Sequence, residues 1–313
     1  MTTSSNPSGP DIRAEREGSL LLHLPVDGYA FSAVPALRVG DADMRKKSEL
    51  HLTLLNAEAL QRIGKVIDES SLLRMAADLD WTIVRSGDGA LIASRDDGQA
   101  RYSLVEWVEL PAFHAFRSAL ARVSGTALPD TLPHITHYAS DSEGIGLPDL
   151  ACIERLKQAD LRMPGIGGRT PRASAAKVEA SFADGSSLLP PDTIVRLGQQ
   201  DGAIDAWLQR HQADAALLFS AADPFDCAAS PRGNAVRWAL LDAELAAQKI
   251  RAVPVLGKED ADEPARVSLC LLDLDDAAAD RLLRRYEQLA AVRVQRKAAP
   301  ELLLHPAIRE NHA

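Results

Sequence analysis

The chain has 313 residues, a formal net charge of −9, 46% apolar residues and only three cysteines, Cys152, Cys227 and Cys270. Its length suits a sizeable core and two domains. The acidic balance argues against a protein that coats nucleic acid through its overall field, though not against a small anionic substrate held in one local pocket. Three widely spaced cysteines, with no C-x-x-C pair, argue against a disulfide framework or a zinc site and fit a reducing cytoplasm. No run approaches 18 apolar residues, so no membrane span is expected.

Taken in order, residues 1–17 are rich in Ser, Pro and charges and read as a disordered tail with no signal-peptide core. Ser19 to Val26 is an apolar run closed by Pro25 and Gly28, a first strand in which His23 packs or bonds locally. Arg45, Lys46 and Lys47 stand just before Leu50-His51-Leu52-Thr53-Leu54. Asn56 can cap a helix over 57–79, split near Asp68 to Ser71. Strand-like pieces follow at 81–85, 90–94 and 101–108, with turns at Gly87-Asp88-Gly89 and Asp96-Asp97-Gly98. A helix over 110–124 leads to Pro133-His134-Ile135-Thr136-His137, and another helix is expected over 147–159.

The Gly- and Pro-rich stretch 163–172 reads as a linker. Beyond it, strands are expected at 177–182, 193–197, 215–220, 251–256, 266–274, 292–294 and 302–304, and helices at 202–210, 234–249 and 275–290, with a turn at Asp184-Gly185. This alternation suits a smaller layered domain, α/β or α+β.

The two His-x-Thr triplets stand 83 positions apart (134 − 51). Eight His and nine Thr in this length give roughly 0.2 such triplets by chance, so a matched pair asks for a reason. On a strand, His and Thr share one face while Leu52 or Ile135 turns into the core, and side chains about 7 Å apart can hold one phosphate. Opening a cyclic phosphodiester needs one group to take a proton from water and another to give one to the departing oxygen. Two imidazoles can divide that work near neutral pH. Thr hydroxyls can donate to the non-bridging oxygens, where charge accumulates.

The doubled motif resembles the two-histidine (2H) phosphoesterase superfamily, which includes 2′-5′ RNA ligase-like proteins and cyclic phosphodiesterases. The resemblance spans residues 18–160. It implies an α+β, bilobal antiparallel-sheet domain whose motifs face each other across a cleft, with His51 and His134 as the acid/base pair and Thr53 and Thr136 as phosphate ligands. It also implies a metal-independent hydrolase without a cofactor, acting on RNA 2′,3′-cyclic phosphate ends or small cyclic nucleotides. His137 departs from the usual small or apolar residue and is expected on the opposite face, as surface or packing. Trp81, Tyr102 and Trp107 are candidates for base stacking, with the core as the commoner place for such aromatics. The competing reading is a non-catalytic RNA- or nucleotide-binding module whose C-terminal domain recruits a partner.

Residues 172–300 resemble an uncharacterised bacterial domain through Leu217 to Pro224, Asn234 and Arg237, Gly257, Glu263-Pro264 and Ser268. Asp223, Asn234 and Arg237 either line a pocket there or serve as caps and surface pairs. The expected organisation is a tail (1–17), a phosphoesterase-like domain (18–160), a linker (161–175) and a second domain (176–305).

Overall fold

A computed structural model describes residues 11–14, 18–96, 98–183, 185–190, 192–258 and 266–311. The chain divides into two units, Met1–Gly167 and Gly168–Ala313. The boundary lies in the expected linker, but residues at either end of that stretch are regular: Leu161 and Arg162 close a strand and Ala175 opens a helix.

The first unit carries nine strands among its described residues. They are β1 (Asp11–Ala14), β2 (Leu20–Leu24), β3 (Ala36–Val39), β4 (Ala42–Lys46), β5 (Leu50–Leu55), β6 (Val84–Asp96), β7 (Gln99–Glu109), β8 (His134–Ala139) and β9 (Lys157–Arg162). Its helices are α1 (Val26–Tyr29), α2 (Ala57–Ile63), α3 (Glu69–Ala77), α4 (Pro111–Ser124) and α5 (Leu150–Leu156). Two sheets result, ordered β1-β2-β5 and β3-β4-β8-β7-β6-β9. Their cross-over is local. β4 pairs with β8, the Lys47 amide donates to the His137 carbonyl at 2.8 Å, and three residues later the chain enters β5 of the other sheet. This short link sets β5 against β8, with Cα atoms of the two strands within 8 Å.

One core holds both motif strands from behind. Leu50, Leu52 and Leu54 of β5 and Ile135 of β8 are buried with Ile63, Leu72, Phe113, Phe116 and Leu120 from α2, α3 and α4. Each fully buried Leu or Ile contributes about 1.5–3 kcal/mol relative to an exposed one, which fixes which edge of each strand faces out. Asn56 and Asp68 cap α2 and α3 by accepting from the Ala59 and Ser71 amides, so the helical stretch is two helices, divided at the expected Asp68. Trp81 belongs to this core, its indole NH donating to the Ala76 carbonyl at 2.8 Å.

Several expectations need correction. Asp11–Ala14 pair with β2, so the expected tail 1–17 contains a strand; residues 1–10 and 15–17 lie outside the described residues, as do Asp97 and Asp184 of the expected turns. β6 is one strand with a bulge where two were expected. Gly89 makes this possible: a Cβ there would lie 2.2 Å from the Val105 carbonyl oxygen. The expected helix over 147–159 is shorter, since α5 ends at Leu156 and the chain pairs with β6 as β9.

The second unit is a seven-stranded sheet ordered β11-β10-β13-β14-β12-β15-β16. Its strands are β10 (Ser186–Leu189), β11 (Thr193–Arg196), β12 (Ala215–Phe219), β13 (Ala252–Lys258), β14 (Arg266–Leu272), β15 (Ala290–Gln295) and β16 (Glu301–Leu304). Its helices are α6 (Ala175–Phe182), α7 (Gly202–Arg210), α8 (Pro231–Gln248), α9 (Asp276–Arg285) and α10 (Pro306–Glu310). Every ladder among the described residues is antiparallel, so of the two layered arrangements expected for this unit it is the α+β one, not the α/β one. Alternate residues of β12 separate two cores: Leu217 and Phe219 meet α8 and α9, whereas Ala216 and Leu218 meet α7. The expected strand at 177–182 is α6, because the Ser174 hydroxyl caps it at the Lys177 amide. Glu263 and Pro264 lie outside the described residues.

Candidate functional site

The alternation read from the sequence is present on both motif strands. His51 and Thr53 of β5 are half-buried between fully buried leucines, and His134 and Thr136 of β8 are half-buried on either side of Ile135, which is 0% exposed. With β5 against β8, His134 comes near enough for its charge to act on His51. Arg117 of α4 ties down both approaches, donating to the Leu54 carbonyl at 3.1 Å and the Pro129 carbonyl at 2.6 Å.

The two imidazoles sit in different surroundings. Burial pulls His51 down to about 4, helped by the charges of His23, Lys47 and His134, with Glu49 opposing. Its Nδ1 is buried without a hydrogen-bond partner among the described residues, a condition rare enough in folded proteins to ask for a reason. Burial also lowers His134, but its Nδ1 lies 3.0 Å from the Leu132 carbonyl, which can only accept, so that nitrogen carries the proton. Trp107 on β7 faces His134 across the ladder, with ring centroids 5.8 Å apart and edge to face. Of the three aromatics considered for stacking, it alone touches a motif histidine in the described contacts; Trp81 is core and Tyr102 is half-buried elsewhere on β7.

Behind β8 lies a charged network that the sequence reading did not anticipate. β8 has one more residue than β7 opposite it, and the extra one is His137, between Thr136 and Tyr138. His137 is buried as packing, not surface, and its Nε2 lies 2.8 Å from Glu106 Oε2. Arg85 grips the same carboxylate with two bonds of 2.9 and 2.6 Å. Burial works against the charge on Glu106, yet the His137 bond and the Arg85 fork outweigh it and hold the carboxyl below its usual range. Phe31 packs edge-on against His137 at 4.8 Å. The signal was Glu106 within the apolar run of β7, a charge that needs buried partners.

Beside the motifs, a cleft of about 780 Å³ opens along β3, β4 and the end of β8, lined by Arg38, Arg45, Lys46 and Lys47 together with Asp43 and Asp141. The four motif side chains are not among its lining residues. Lys47 belongs to both, lining the cleft and depressing His51, while its Nζ donates to the Ser142 carbonyl.

The chain matches no protein-family model, no curated protein and no solved structure. Among the described residues no group of three or more His, Cys, Asp or Glu side chains is arranged to hold a metal ion, and no helix is long and apolar enough to cross a membrane.

The polar residues singled out in the second unit have structural work. Arg237 is buried and donates to the Ala221 carbonyl at 2.6 Å and to the Tyr286 carbonyl. Asp223 and Asn234 clasp each other through bonds of 3.0 Å, holding Asp223 at φ 45°. Asp223 also lines a cavity of about 150 Å³ with Ser187, Ser220, Ser268 and Gln288.

Proposed function

We propose that the first unit is a metal-independent phosphodiesterase of the two-histidine type, with its four motif side chains around one phosphate. The observation that carries this reading is the convergence of strands β5 and β8, each with His and Thr on its partly open face and Leu or Ile sealed behind. One imidazole takes a proton from the attacking water. The other gives a proton to the departing ribose oxygen as the phosphorus–oxygen bond breaks, and the water oxygen ends on phosphorus. Thr53 and Thr136 donate hydrogen bonds to the non-bridging oxygens and stabilise the charge that grows there.

The substrate class is an RNA end bearing a 2′,3′-cyclic phosphate, in preference to a free cyclic mononucleotide. Support comes from the basic cleft, whose Arg45, Lys46 and Lys47 carry charges that suit the phosphates of a strand, and from Trp107 beside His134, an aromatic on which a terminal base can stack.

The test is cleavage of cyclic phosphate-terminated oligonucleotides and cyclic mononucleotides by the full chain. His51→Ala and His134→Ala are each expected to lower kcat by about 10²–10⁴-fold, and Thr53→Val or Thr136→Val by roughly tenfold or more. Wild-type turnover in both histidine variants ends the proposal. Tight nucleotide binding without turnover would assign the chain to the binding-module class.

A further inference from the structure

A third histidine stands on the face that carries the motif of β5. His23 lies on β2 directly opposite His51 in the antiparallel register, and the two ring centroids are 6.1 Å apart with a 58° tilt. Its neighbours Leu22 and Leu24 are buried in the core, so the alternation of the strand puts His23 on the other face, the one His51 occupies, where it is half-buried and its Nε2 is covered. The sequence expectation of local packing for His23 therefore understates its position. Directly opposed side chains on a ladder interact across about 4.5–5.5 Å between Cβ atoms, and like charges there repel.

The surroundings of the two motif histidines then differ in kind. A proton placed on His51 meets His23 from β2, Lys47 from the link before β5 and His134 from β8, against the attraction of Glu49. Nδ1 of His51 also has no acceptor among the described residues. His134 has the Leu132 carbonyl at 3.0 Å, so a second proton on its ring leaves an imidazolium with one N–H already bonded.

We propose that His23 is a positioning residue of this centre: opposed to His51 across the β2–β5 ladder, it keeps His51 the proton acceptor, which makes His51 the general base and His134 the general acid. The division of labour rests on the phosphodiesterase reading, whereas the coupling between His23 and His51 does not. In the reaction, His51 receives the water proton and His134 releases its own to the ribose oxygen. The pair ends with its protons exchanged and must swap them through solvent before the next turnover.

The experiment uses the full chain as wild type, His23→Gln and His23→Lys. Side-chain NMR follows the titration of His51, and kcat/KM against pH is measured on a cyclic phosphate-terminated oligonucleotide. His23→Gln removes the imidazole opposed to His51 and is expected to raise the His51 midpoint by about one pH unit, carrying the acid limb of kcat/KM with it. The activity lost relative to wild type should then be about twofold greater at pH 5 than at pH 8, a pattern that a merely structural defect would not give. His23→Lys sets a fixed positive charge opposite His51 and should hold the limb at or below its wild-type position. A His51 midpoint in His23→Gln within about 0.2 units of wild type overturns the inference. If turnover proves independent of His51 and His134, the phosphodiesterase reading and the role assignment fail together, while the NMR midpoint still decides the coupling.

Discussion

Glu106→Gln is the most informative single change in the scaffold. The Glu106 side chain is 0% exposed, and its partners Arg85 and His137 are 19% and 2% exposed, so none of the three can turn to water for compensation without moving the strands. The carboxylate takes three bonds of 2.6–2.9 Å, and Gln returns one acceptor and no charge. Breaking a buried pair while one charge stays behind costs about 3–5 kcal/mol, a large part of the 5–15 kcal/mol expected for a domain. Replacing all three together, Arg85→Met, Glu106→Leu and His137→Phe, removes the stranded charges and is expected to cost less than the single Gln. Urea unfolding of the first unit, followed through the Trp81 side-chain NMR signal, measures both. A loss below about 1 kcal/mol in Glu106→Gln, or a larger loss in the triple variant, refutes the reasoning. Because His137 is the extra residue next to Thr136, Glu106→Gln should also weaken phosphate binding at pH values where the protein is still folded.

In the cleft, Arg45→Glu with Lys46→Glu should raise KM for an oligonucleotide by tenfold or so, leave a cyclic mononucleotide little affected, and flatten the salt dependence of the former. In the second unit, burial first and then Arg284 bring His305 to about 4, and its Nδ1 accepts from the Ala307 amide to cap α10. A folded value below the unfolded 6.5 means that stability is fully present above pH 6.5 and is lost as pH falls towards 4, by roughly 2–3 kcal/mol. His305→Asn keeps a cap acceptor without that titration and should flatten the stability profile of this unit over the same window, read by urea midpoints at pH 7 and pH 4.5.

The sequence disclosed the motif strands because nothing competes with their alternation: polar residues that match between the copies, apolar ones that must be buried. Helices α7 and α8 were readable from their apolar spacing for the same reason. Strands β3 and β4 escaped notice, although Leu37, Val39, Ala42 and Met44 alternate cleanly in burial, since exposed charges break up a short hairpin around Gly40. α6 was misread because Val178 and Phe182 fit either period, and the Ser174 cap was the deciding cue. His23 and Glu106 show a further limit. Each was visible as one polar residue inside an apolar strand, but its partner, His51 or His137, comes from pairing that only the fold supplies.

The central claim is that His51 and His134 border one anion pocket. It is tested most directly by titrating the full chain with a nucleoside 2′-phosphate, one of the two products that opening a 2′,3′-cyclic phosphate can leave, while the side-chain NMR signals of both imidazoles are followed together. Both rings should shift along one binding curve, with a single Kd and a rise in the protonated fraction of each. Two different curves, or one ring that never responds, would contradict the account.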